Sequence, residues 1–148
     1  MSEPQFSREA IYGALFALVS GACAFTTTTR RIKDYADVDQ ATQPALLQVE
    51  LGEKWNARVG SPPVVTLAAR LFLYCESNDP GAPVSTQMNE ALDSVTAALA
   101  PPLAPHGAFR QTLGGLVQHA GIAGEITIAE GLSGQSEAVI PLEILVNS

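Results

Sequence analysis

Charge is scarce in this chain. Asp, Glu, Lys and Arg make up 16% of its 148 residues, against about 25% in an ordinary soluble domain. A surface so poor in charge must present neutral or apolar groups, and interface cores are where charge is depleted, so composition favours an oligomer. Cations are scarcer still: 8 Lys and Arg face 15 Asp and Glu, for a net charge of −7. That argues against a nucleic-acid backbone as the main partner, because Lys and Arg supply that affinity. Only a local basic patch is left open.

Cysteine is nearly absent. Cys23 and Cys75 fall in a helical and an extended pattern, with no other ligand type at metal-binding spacing. No secretion signal precedes them, so both are expected as reduced core residues. Long apolar runs are missing too. The longest, Ala10 to Phe25, lacks a basic start and is shorter than the ~20 residues of a membrane span. It is expected as an amphipathic helix of a protein made in the cytoplasm, with no membrane partner.

Catalytic signatures are also missing. There is no nucleophile elbow, zinc pattern or dinucleotide fingerprint. Of the two histidines, His106 sits in a proline-rich stretch and His119 in a strand pattern. His119 and Cys75 form a dyad only if the fold brings them together, since geometry defines such a site. Glu125 and Glu130 are odd-spaced, which places them on opposite faces of a strand and argues against paired carboxylates. Asp34, Asp37 and Asp39 lack the glycine and closing glutamate of a calcium loop. Trp55, Phe72 and Tyr74 make no basic-aromatic stripe, so Trp55 is expected as a core or interface anchor. No catalytic residue, metal or cofactor is expected.

Strong patterning is present instead. In Pro63 to Cys75, every second residue from Val65 (Leu67, Ala69, Leu71, Leu73, Cys75) is apolar, the period of a half-buried strand. Asn78 to Gly81 supply turn chemistry. Val84, Met88, Ala91, Leu92, Val95 and Leu99 then recur at helical spacing, and Pro101 with Pro102 end that helix. Upstream, Ser7 caps a helix with the stripe Ile11, Leu15, Leu18, Val19 and Ala22, ending near Gly21. The threonine run inside Phe25 to Lys33 predicts an edge strand, or one that meets another subunit. Arg30, Arg31 and Lys33 flank it, and the acidic Asp34 to Gln43 connection follows.

Pro44 to Leu51 predicts a further strand. Gly52 and Glu53 read as a hairpin turn into a short strand over Lys54 to Val59. The tail predicts strands at Val117 to Ala123, Glu125 to Glu130 and Ala138 to Val146, with Pro141 pushing the last towards an edge or a bulge. The expected fold is one α+β domain over residues 1–148. It has a mostly antiparallel sheet of about five to seven strands with two main helices packed on it.

Certain stretches are similar to the tail terminator proteins of long-tailed bacteriophages. They are Ile11-Tyr-Gly-Ala-Leu-Phe16, Gln43-Pro-Ala-Leu-Leu-Gln48, the Glu53 turn, Asn89 with Leu92-Asp93, Thr112-Leu-Gly-Gly-Leu116 and Ala138-Val-Ile-Pro-Leu142. The resemblance implies a structural virion protein at the head-proximal end of the tail, assembled in the host cytoplasm. Such subunits form a hexameric ring that caps the tail tube, stops its polymerisation and offers a docking surface to the head. The implied partners are further copies of the chain, the tail tube protein and a head-completion or connector protein, with DNA passing the lumen unbound. Arg30, Arg31, Lys33, Asp34, Asp37, Asp39 and Trp55 are the residues expected at subunit contacts. Two alternatives stand beside it: another α+β head–tail connector, or a small enzyme or ligand-binding domain using His119 and Cys75.

Overall fold

A computed structural model describes residues 6–31, 43–76, 84–101, 110–131 and 134–146. The expected turn at Asn78 to Gly81, along with Pro102, His106, Lys33, Asp34, Asp37 and Asp39, lies outside them. Two helices and six strands follow one another as α1 (Arg8–Ser20), β1 (Thr27–Thr29), β2 (Ala45–Arg58), β3 (Ser61–Glu76), α2 (Val84–Leu99), β4 (His119–Ile122), β5 (Thr127–Glu130) and β6 (Gln135–Val146). The strands form one sheet in the order β1-β2-β3-β6-β4, with β5 also on β6. Only β1 pairs in parallel, with β2; the other pairings are antiparallel. The fold is therefore α+β with a mixed, mostly antiparallel sheet.

The strand with the clean apolar face is the centre of that sheet. Val65, Leu67, Ala69, Leu71, Leu73 and Cys75 of β3 are all buried. Their register partners on β6, from Ala138 through Ile140, Leu142 and Ile144 to Val146, continue the same face. Both helices pack there, α2 over β3 and β6, and α1 beside it near β2. Met88, Ala91, Val95 and Leu99 of α2 are buried, as are Ile11, Leu15 and Val19 of α1. Ser7 caps α1 as its sequence predicts, its Oγ accepting the Ala10 N–H at 3.2 Å. Among the described residues no helix is long and apolar enough to cross a membrane.

Two features differ from the sequence reading. Gly52 and Glu53 do not turn the chain. β2 runs on from Ala45 to Arg58, and Glu50 pairs with Ala69 while Glu53 pairs with Leu67, so β2 holds one extra residue in a bulge. The chain turns at Val59 and Gly60, where Gly60 takes φ 75°, a conformation that favours glycine. A second shift lies between Asn56 and Arg58, opposite Pro62 and Pro63, where the ladder tolerates residues without an N–H.

Pro141 is the other. It lies in the interior strand β6, paired with Arg70 and without a register break. Its carbonyl accepts from the Ala123 N–H at 3.1 Å, on the side of β4 and β5. A strand residue points its N and its carbonyl to the same side, so the missing donor faces the gap between these two strands. β4 pairs with residues 142–145 of β6 and β5 with residues 136–139. No ladder bond is lost, so neither an edge position nor a bulge is needed.

One buried polar group lies under α1. Gln48, 1% exposed, donates from Nε2 to the Tyr12 carbonyl at 2.9 Å, while its Oε1 has no partner. An unsatisfied buried acceptor costs about 1–3 kcal/mol. Gln48→Met is therefore expected to leave the urea midpoint unchanged or raise it, against the usual direction for a core substitution. A clear fall in the midpoint would show that the amide contributes more than it costs.

Candidate functional site

The bulge marks where β2 becomes exposed, while the β3 residues opposite it, Leu67 and Val65, stay buried in the core. Before it, Ala45 to Gln48 are buried; from Glu50 to Arg58, and on through Ser61 and Pro62 of β3, every residue is exposed. The ladder nevertheless continues, Lys54 pairing with Thr66 and Asn56 with Val64. Beyond Val65, the last β3 residue paired with β6, the hairpin of residues 56–64 extends as an arm. Val59 at its tip is fully exposed, and Leu51 at 41% and Trp55 at 50% lie on β2 below it. Three large apolar side chains uncovered along one strand and its turn are a marker of an interaction surface.

The base of the arm is held to the start of α1. One extra residue in the bulge swaps which side chains face the helices, so Glu53 and Trp55 turn towards α1. Arg8 grips Glu53 with two bonds, Nε to Oε2 at 2.8 Å and Nη2 to Oε1 at 2.6 Å. The Trp55 indole N–H donates to the same carboxylate at 3.0 Å, and its ring lies 6.3 Å from that of Phe6. Arg8 also stands over Phe6, 5.1 Å from the ring centroid. These four side chains fix the direction of the arm. Trp55 is an anchor whose other half is exposed. Nothing in the local pattern links Phe6 and Arg8 to Trp55, since the contact spans almost 50 residues and depends on the bulge.

The Arg8 bonds, followed by the Trp55 bond, hold the Glu53 carboxyl at about 2, below its ordinary 4.5. A carboxylate with a lowered folded value contributes stability above its unfolded value and loses it as pH falls towards the folded one. Glu53→Gln is therefore expected to be less stable than the unaltered chain above about pH 5, with the gap closing towards about pH 2. Urea midpoints across that range measure it; a gap independent of pH would refute the ion pair.

Arg30 is bound within its own chain. Its guanidinium pairs with Glu9 of α1 and, at 2.6 Å, with Glu50 of β2. Its bond to Glu9 holds that carboxyl below its usual value. Arg30 thus ties helix to sheet inside the subunit. Arg31 is exposed just beyond β1, its N–H donating to Thr29 Oγ1 at 3.1 Å. β1 is an edge strand, as its sequence predicts.

His119 and Cys75 are not brought together. On β6 their register partners are Leu145 and Ser136, which are nine residues or roughly 30 Å apart. His119 Nδ1 accepts the Gln111 N–H at 3.1 Å, which leaves Nε2 beside Gly121. Burial pushes the Cys75 thiol up to about 11, so it is a poor nucleophile near neutral pH. Glu125 and Glu130 are exposed at the ends of the β5 segment.

The sheet face away from the helices holds a shallow groove. One part, about 250 Å³, is lined by Thr66, His119, Ile122, Glu143 and Leu145 among others. A second, about 450 Å³, adds Lys54 and Asn56 and shares Thr66 and Glu143 with the first. The groove therefore runs from the base of the arm across β3 and β6 to β4. It holds no nucleophile with an adjacent base, and its form suits a protein segment better than a small molecule. No protein-family model matches this chain, and no curated protein matches it.

Proposed function

We propose that this chain is a structural virion subunit that assembles into a ring, hexameric in the tail terminators it resembles, at the head-proximal end of a phage tail. In this role the ring caps the tail tube, ends its polymerisation and presents its other face to a head-completion protein. The observation that carries the reading is the β2 hairpin with Leu51, Trp55 and Val59 uncovered. A lone subunit gains nothing from that apolar surface, whereas a neighbour removes it from water at roughly 25 cal/mol per Å².

The low charge content and the separation of His119 from Cys75 support assembly over catalysis. A ring that binds tube on one face and head on the other needs two unlike surfaces, and the two sheet faces differ in this way. The test mixes the purified full chain with tail tubes. Negative-stain images are expected to show rings at one tube end and no further growth when free tube subunits are added. Tubes that keep growing, with no density at either end, would refute the reading.

A further inference from the structure

The tip of the arm and the groove are on one chain but are held apart within it. The arm tip at Val59 and Gly60 lies beyond Ser61, and the nearest groove residue on β3, Thr66, is five residues or about 16 Å back along the same strand. The ladder between β2 and β3 holds the tip away from the groove. Their chemistry nevertheless matches. The tip presents Val59 and the cation of Arg58, whose Nε and Nη2 donate to the Pro62 carbonyl, at 3.2 and 3.1 Å, and to no other acceptor among the described residues. The groove presents apolar Ile122 and Leu145 around Glu143, an exposed carboxylate in no ion pair among the described residues. From Lys54 to Pro62 the hairpin bears two cations, Lys54 and Arg58, and no acid, in a chain of net charge −7.

We infer that the groove across β3, β6 and β4 receives the hairpin tip of a second copy of this chain, with Arg58 of one subunit against Glu143 of the next. This deepens the assembly reading and rests on it. The donor surface and the acceptor surface differ, so the contact is head-to-tail, and each subunit gives one arm and accepts one. Such a contact closes into a ring when its rotation allows and needs no two-fold axis. The helix side of the arm base is already occupied by Phe6 and Arg8, so the tip is the part left to engage a neighbour.

A charge swap tests the pairing. Arg58→Glu and Glu143→Arg are made singly and together in the full chain, and self-association is followed by sedimentation velocity over a concentration series. Both positions are exposed, so melting temperatures are expected to stay close to that of the unaltered chain. Each single change is expected to weaken association at least ~10-fold, and the double change to recover most of that loss. Single variants that associate normally, or a double variant no better than either single, overturn the inference. An unaltered chain that stays monomeric yet caps tail tubes overturns this contact while the ring reading stands. A chain that neither associates nor caps sinks both.

Discussion

Leu71→Ala is expected to lower the stability of the subunit by about 2–5 kcal/mol, read as a shift of the urea midpoint at unchanged slope. Leu71 is completely buried at the centre of the sheet, with Gln48 of β2 on one side and Ile140 of β6 on the other. Strands hemmed in on both flanks cannot close around the lost methyl groups, so most of the cavity remains. Leu92 on α2 is the useful contrast. It belongs to the same helical stripe in the sequence, but it is only partly buried at the margin of the core. Leu92→Ala is expected to cost about 1–2 kcal/mol, in proportion to the smaller apolar area it removes from cover. If the two truncations shift the midpoint equally, β3 is not the centre of the core.

Arg30→Glu is expected to destabilise the isolated subunit by about 1–3 kcal/mol. The change removes both ion pairs, to Glu9 and to Glu50, and sets a third carboxylate between them. Each exposed pair is worth under about 1 kcal/mol, but the like-charge contacts created add to that loss. Salt is expected to narrow the difference, because these groups are close to solvent. Arg31→Glu is the control: no acidic side chain lies in ion-pair contact with Arg31 among the described residues, so its midpoint is expected to stay near that of the unaltered chain. A chain indifferent to Arg30→Glu would mean that α1 is held by its apolar stripe alone.

What the residues disclosed follows from how local each signal is. The centre of the sheet was legible because alternation in Val65 to Cys75 needs no knowledge of any partner. The cap at Ser7 and the stripe of α2 are equally local. β2 was misread because Gly52-Glu53 resembles a turn, and only the length of β3 opposite shows that pairing resumes at Glu53. Pro141 misled for a related reason: its cost depends on what faces it, and what faces it is the break between β4 and β5. At the candidate site, Trp55 stood out as the one tryptophan. Its neighbours Phe6 and Arg8, and the acids around Arg30, are joined across 20 residues or more, and no periodicity reports such distances. The groove is assembled from four strands, so no single stretch of sequence contains it.

The silent position at Pro141 has an effect on how the sheet comes apart. β4 and β5 occupy separate lengths of β6, so opening one ladder breaks no bond of the other. β5, exposed along its whole length, is then the segment that peels first, while the β4 ladder and its buried Ala120 stay closed. One imino acid thus divides a continuous border into two independently opening hems.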